Sequence, residues 1–494
     1  MRSFFAFIIF TGLLIFVLTL PASAQQISDP YEILNRYFEA AGGINRLSAE
    51  QTSYSEGTLT VGGMEGTIKV WTQRPDRSRA EINLGPLKMT QGDNGRHAWV
   101  MDQNGQVQLI TNPDEATIKR RQVRKLIEEY AYLEKGSDIF TVSFEGVESV
   151  DGNECYIVKI ANKINNDSHT YYINTGTFNR EKAVFIEDVE SRDAIYSDYR
   201  EIDGLMIPFR TQEIPHQTGQ THEIIITDYI SNPGIDSVLF EPPEAGAKDY
   251  QFTNGNCAEN IPFKFIGNHL YIPVTVQGKE RIWVLDTGAG MTVLNQAFAD
   301  ELGIVPEGAL KGRDAGGIAT ASIATLPPYS LKGIQFQSQT AAVIDMSELI
   351  LRLGVDVVGI LGYDFLSRFV TKIDYANELV SFYDPEKFNY AGDGHLLGMH
   401  ISNNLFEVQA TLDGIHSGNW LFDIGAGSTG LDGRYALREG YAKKDGILRL
   451  GHGAVNEYQK KKVLCDSLQF AGFTILKPEI EFFYGGTDTN FTAE

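Results

Sequence analysis

Trp283-Val-Leu-Asp286-Thr-Gly-Ala-Gly-Met-Thr-Val-Leu294 and Trp420-Leu-Phe-Asp423-Ile-Gly-Ala-Gly-Ser-Thr-Gly-Leu431 lie 137 positions apart and agree at seven of twelve places. Agreement at that density argues an internal repeat. Upstream, each copy carries apolar residues at every second position and then a glycine: Leu270, Ile272, Val274 and Val276 before Gly278, and Phe406, Val408, Ala410 and Leu412 before Gly414. A period of two ending in a glycine turn predicts a β-hairpin. The repeated unit is therefore a hairpin that delivers an aspartate on the turn after its second strand.

An Asp-Thr-Gly tripeptide alone is a weak signal, and its surroundings strengthen it. About 75 residues after Asp286 comes Gly359-Ile-Leu-Gly362-Tyr-Asp-Phe-Leu366, two apolar residues and a glycine leading into a short helix. Lys372–Tyr375 and Leu379–Phe382, joined across Ala376-Asn377, read as a closing hairpin. With the apolar strand Ile282–Leu285 entering Asp286-Thr287-Gly288-Ala289-Gly290, these residues resemble the signatures of aspartic peptidases of the pepsin and retropepsin type. The resemblance implies two facing lobes whose aspartates, Asp286 and Asp423, share one proton and activate a water as an endopeptidase, with neither metal nor cofactor. It implies support for the site from Thr287, whose hydroxyl would bond across to the opposite turn, and from Gly288 and Ala289. It also implies that Gly362 lets the second signature pass beneath the catalytic turn. Gly312–Gly317 followed by the β-rich Ile318–Leu326 reads as a flexible hairpin, which the resemblance implies is a flap over the substrate that includes Gly316 and Gly317, and Gly451-His452-Gly453 stands at a comparable place in the second copy.

The second copy departs from the pattern twice. Ile424 replaces the threonine and brings no hydroxyl to the cross-lobe bond, which predicts a looser pair, because a buried group left unpaired costs about 1–3 kcal/mol. Adding 137 to Ile360, Leu361 and Gly362 gives positions beyond Glu494, so the closing signature has no counterpart. Three accounts stand open: a truncated or shortened second lobe, which is favoured, a degenerate lobe in which Asp423 is only an acidic turn residue, or a homodimer that joins the Asp286 turns of two chains.

Before the repeat, residues 25–245 open on a helix with Asp29 as N-cap, Pro30 in the first turn, Glu32 placed for a capping box and Gly42-Gly43 as the stop. Strands then follow at 67–72, 98–101, 107–110, 140–144, 156–160, 170–173 and 223–227, interrupted by a helix over 117–135. The order of elements, with Tyr196–Arg200, Asp203–Pro208 and Phe240-Glu-Pro-Pro243, resembles periplasmic lipoprotein-sorting carriers, whose fold is a half-open barrel with a lipid-accepting cavity. That resemblance implies a lipid or lipoprotein ligand for this unit, weighed against a β-scaffold that docks on or covers the next one. The expected class is mainly β: an antiparallel half-barrel with two helices at 25–245, a linker over 245–260, and two retropepsin-like β-barrel lobes at 261–390 and 395–494, the second incomplete.

Arg2, an apolar run from Phe4 to Leu20 and the small residues before Gln25 predict a cleaved signal peptide at residues 1–24, hence a periplasmic or secreted protein without a later membrane anchor. The net charge of −22 argues against nucleic-acid or anionic-membrane partners and leaves a peptide or protein substrate. Three widely spaced cysteines, Cys155, Cys257 and Cys465, form neither a disulfide framework nor a metal set. Gly425-x-Gly427-x-x-Gly430 lacks a surrounding βαβ unit, no His-Glu-x-x-His is present, and no serine sits on a nucleophile elbow. Lys460-Lys461-Lys462 reads as a solvated strand edge. The alternative from another class is a non-catalytic periplasmic protein that binds lipoproteins or peptides with degenerate peptidase lobes.

Overall fold

The computed structural model describes residues 27–110, 115–187, 191–244, 246 and 248–484; the signal peptide expected at 1–24 lies outside them. The architecture is mainly β, with large antiparallel sheets and few helices. Thirteen strands between Thr52 and Ser231 form one antiparallel sheet whose first and last strands meet in its middle, Ser53 opposite Ser231 and Val61 opposite His222. The opening helix, Pro30–Ala40, begins where Asp29 accepts the Tyr31 N–H at 2.9 Å. Glu32 does not close a capping box; it pairs with Arg36 one turn on at 2.8 Å. The second long helix runs over Glu115–Glu128 and stops short of the expected 135, because Tyr130 adopts a left-handed backbone with φ 57°. Ile33, Leu34 and Phe38 of the first helix pack on Val158, Ile160 and Ile173, which covers one part of the sheet.

Another part of the sheet is covered by the first lobe. Leu59, Val61, Met64, Ile68 and Leu84 form one buried cluster with Ile323 and Ala342. Hydrogen bonds cross the same junction: Ala309 N–H to Gly62 O at 2.6 Å, Gln220 Nε2 to Ala309 O at 2.8 Å, and Lys311 N–H to Gln220 Oε1 at 3.0 Å. The segment expected as a linker is partly sheet. Tyr250–Phe252 pairs with Ile334–Phe336, and Cys257–Pro262 pairs with Leu379–Tyr383. Asp249 holds the fully buried Arg368 through two hydrogen bonds of 2.8 and 2.6 Å, so the passage between the units is packed and ion-paired. Mixed polarity there came from residues that plug the first lobe.

Both copies of the repeat form the hairpin expected: His269–Val276 with Lys279–Leu285, and Leu405–Leu412 with His416–Leu421. In the first lobe Val357–Leu361 then pairs in parallel with Lys279–Leu285 and antiparallel with Val293–Asn295, which joins the hairpin and the later strands into one sheet of eleven strands, beside a separate sheet of three. Among the described residues the second lobe has no such strand. Its hairpin and its Gly430–Asp432 strand accordingly belong to separate sheets of five and four strands. The lysine run is no edge: Glu457–Leu464 has a partner on either side, Gly446–His452 and Glu479–Tyr484. All three cysteines are free thiols, and burial pushes Cys155 and Cys465 up to about 11.

Ile323 is 2% exposed at the junction of the sheet and the first lobe. Ile323→Ala removes apolar contact from both sides and is expected to cost about 2–5 kcal/mol. The check is a lower urea midpoint together with faster limited proteolysis between Asn232 and Lys248.

Candidate active site

Asp286 ends the Lys279–Leu285 strand, and its N–H donates to Leu361 O at 3.0 Å. The strand carrying Leu361 thus runs beneath the turn, and two glycines make the crossing sterically feasible. A Cβ on Gly359 would lie 2.3 Å from the Trp283 ring, and one on Gly362 would lie 2.5 Å from Met291 O and 2.6 Å from Ala289 O. Tyr363 N–H then donates to Ala289 O at 2.7 Å, which closes the support under the turn.

The two aspartates meet within one chain. Asp286 accepts the Gly288 N–H at 2.7 Å, and Asp423 accepts the Gly425 N–H at 2.8 Å, so each carboxylate is oriented by its own turn. Each is also pressed against the opposite turn: a Cβ on Gly288 would lie 2.4 Å from the Asp423 carboxyl carbon, and one on Gly425 would lie 2.3 Å from that of Asp286. No residue larger than glycine fits at either place. Asp286 is partly accessible from the cleft yet densely surrounded by protein, and its carboxyl is pushed up to about 8. Burial is the main cause, followed by the charge of Asp423 and a hydrogen bond to it.

Thr287 ties the turns together. Its hydroxyl donates to Phe422 O at 2.6 Å and accepts the Ile424 N–H at 2.9 Å. The tie is one-sided, because Ile424 has no hydroxyl to return it. The Ile424 side chain instead packs against the core of the first lobe, where apolar contact takes the place of the polar bond.

The aspartates line a cleft of about 1470 Å³ bounded by both lobes. Two hairpins roof it: Glu307–Asp314 with Gly317–Leu326, carrying Gly316 and Gly317 at the tip, and Gly446–His452 with Glu457–Leu464. The tips are latched. Asp314 accepts the N–H groups of Val455 and Asn456 at 2.9 Å each and the Asn456 side-chain amide at 3.0 Å, while Gly316 packs against Asn456. Sequence reading did not find Asp314 or Asn456, since each is an ordinary turn residue until the tips meet. It also passed over Asp364, only 1% exposed, which accepts the Thr292 hydroxyl at 2.8 Å and is pushed up to about 6 by burial. A lone acid inside the apolar run Gly359–Leu366 was the available signal. Among the described residues no group of three or more His, Cys, Asp or Glu side chains could hold a metal ion.

Residues 272–365, which carry the Asp286 turn and the strand beneath it, match the model of the aspartyl protease family. A comparison with curated proteins finds no match. Among solved structures, the chain is similar to a retropepsin-like aspartic protease from Rickettsia conorii, with 24% identity and a TM-score of 0.20, over 26% of this chain and 91% of that one. It is also similar to a LolA superfamily protein from Nitrosomonas europaea, with 13% identity and a TM-score of 0.30, over 44% of this chain and 98% of that one. A DUF1329 family protein from Desulfovibrio piger is 16% identical with a TM-score of 0.30, over 43% of this chain and 95% of that one.

Thr287→Val removes both cross-lobe bonds of the hydroxyl while nearly keeping its volume. Leaving the part-buried Ile424 N–H and Phe422 O without that partner is expected to cost about 1 kcal/mol. Thr287→Ser is expected to restore most of it, as read by thermal unfolding of the two variants beside the wild type.

Proposed function

We propose that the protein is an aspartic-type endopeptidase that acts through Asp286 and Asp423. The observation that carries this reading is the pair of carboxyls, each on an equivalent turn and each against the other's glycine, at the floor of a roofed cleft. Two like charges at such separation cannot both ionise, so the pair keeps one proton at neutral pH. The ionised member takes a proton from the attacking water, and the protonated member hydrogen-bonds the scissile carbonyl and then helps protonate the leaving nitrogen. Thr287, Gly288, Ala289 and Gly362 hold this geometry, and the latched hairpins with Gly316 and Gly317 open to admit an extended peptide and close to exclude water. Because both carboxyls come from one chain, the reading needs no second copy. The signal peptide expected at residues 1–24 supports an activity in the periplasm or outside the cell.

For the amino-terminal unit a second, apolar ligand is supported by a separate groove of about 390 Å³ lined by Tyr54, Trp71, Ile230, Val238 and Leu239. Its apolar lining suits an acyl chain, and a lipid or lipoprotein is the partner proposed there.

Asp286→Asn and Asp423→Asn are each expected to lower peptide cleavage by more than about 10³-fold while leaving the thermal midpoint near or above that of the wild type. A wild type that cuts no member of a diverse peptide library between about pH 3 and 8 sinks the peptidase reading in favour of a binder.

The pH dependence has a definite sign. Folding raises the Asp286 carboxyl from its unfolded value near about 4 to about 8, so over that interval the native state keeps a proton that the unfolded chain has released. Stability from this group is therefore complete below the unfolded value and is lost as pH rises toward about 8. Cleavage should fall over the upper end of the same range as the shared proton leaves, and Asp286→Asn should flatten the stability profile.

A further inference from the structure

The amino-terminal sheet reaches the cleft through the turn between its Ala98–Met101 and Val107–Ile110 strands. Asp102 shapes that turn, its carboxylate accepting the N–H groups of Asn104 and Gln106 at 2.9 Å each. Asn104 then fastens it to the first lobe. Its Oδ1 accepts the Thr340 N–H at 2.9 Å, and its Nδ2 donates to Asp364 Oδ2 at 3.3 Å. The other Asp364 oxygen holds Thr292, next to the cleft-lining Met291, and the preceding Tyr363 holds Ala289 of the catalytic turn. A turn from a different unit is thus tied to the same framework that positions Asp286.

Gln103, one residue before that anchor, lines the cleft and is partly exposed. Its carboxamide makes no hydrogen bond among the described residues. Two cationic groups along the cleft are committed within the protein: Lys460 to Glu481 at 2.6 Å, and Arg352 to Gly453 O at 2.9 Å. A carboxamide offers two donors and an acceptor at one point, which matches the alternating C=O and N–H groups of an extended peptide. Its turn is held by Asp102 and Asn104, so little conformational freedom is lost on binding.

We propose that Gln103 of the amino-terminal unit is a substrate-binding residue of the peptidase cleft, where it hydrogen-bonds the backbone of an extended peptide beside the Asp286 turn. This rests on the peptidase reading for the nature of the ligand. It makes the amino-terminal unit a wall of the cleft, and one position of the bound peptide is held by a residue outside both lobes.

The test uses the full chain as wild type, Gln103→Ala and Gln103→Glu, with a statine-containing peptide for binding and a diverse peptide library for cleavage. The partly exposed turn position makes an unchanged melting midpoint the expected control. Gln103→Ala is expected to raise Kd for the statine peptide and KM for substrates about 3- to 10-fold, with kcat within about twofold. Gln103→Glu is expected to shift the cleavage profile toward Lys and Arg at one position only. Unchanged Kd and profile in both variants overturn the proposal. A wild type that binds the statine peptide without cutting the library sinks the peptidase reading alone, and the Kd comparison still decides the role of Gln103. A wild type that binds no peptide overturns both.

Discussion

The structure depends on the approach of two acidic turns to within a distance that only glycine permits. Gly288 and Gly425 leave no room for a Cβ because each is occupied by the carboxyl facing it. Bringing two carboxylates together in a low-dielectric site opposes ionisation of both, and burial of Asp286 adds to the penalty. The fold must therefore hold together a pair whose charged state would push the lobes apart. Thr287 contributes two hydrogen bonds to that end, and Ile424 contributes apolar contact with the first lobe. The roof contributes more, since Asp314 gathers three donors from the second hairpin.

The lobes are unequal in how their aspartates are supported. Beneath Asp286 runs a buried strand, Val357–Leu361, that pairs with both limbs of the turn and accepts the Asp286 N–H. No strand among the described residues runs beneath Asp423 in the same way. Its turn is tied across the lobe boundary at Thr287, at Gly288 and by Asn268, which donates to Gly427 O at 3.2 Å, and within its own lobe by Phe422 N–H to Phe406 O at 2.7 Å. An asymmetric site of this kind has a rigid half and a half templated on it, and its weakest points are the cross-lobe bonds.

Much of this was legible in the sequence where the signal is local. The two hairpins follow from alternation ending in Gly278 and Gly414, the first helix from Asp29 and Pro30, and the crossing beneath the turn from an apolar pair followed by Gly362. Long-range choices were not legible. Strands such as Arg77–Leu84 and Leu87–Asn94 carry charged and polar residues on a half-exposed face, which blurs the period of two. The 245–260 segment is too polar to read as sheet, because its acid, Asp249, is spent on Arg368, which is remote in sequence. Glu32 met the pattern of a capping box, but a helix also offers it Arg36 four residues on, and that pair won.

Chain order and spatial role come apart at the amino-terminal unit. Its sheet would be read from the sequence as a separate carrier-like module, yet its first strands bury Leu59, Val61 and Met64 against the strands that lead to the flap and the floor of the cleft. Gln220 clasps Ala309 and Lys311 at the base of the first roof hairpin, and Asn104 grips Asp364 beneath the Asp286 turn. The base of the first roof hairpin is therefore fixed by a different unit from the one that carries the aspartate. Any ligand that strains the amino-terminal sheet would therefore act on the same hydrogen bonds that set the height of the roof hairpin, which gives the two halves of the chain a physical reason to be joined.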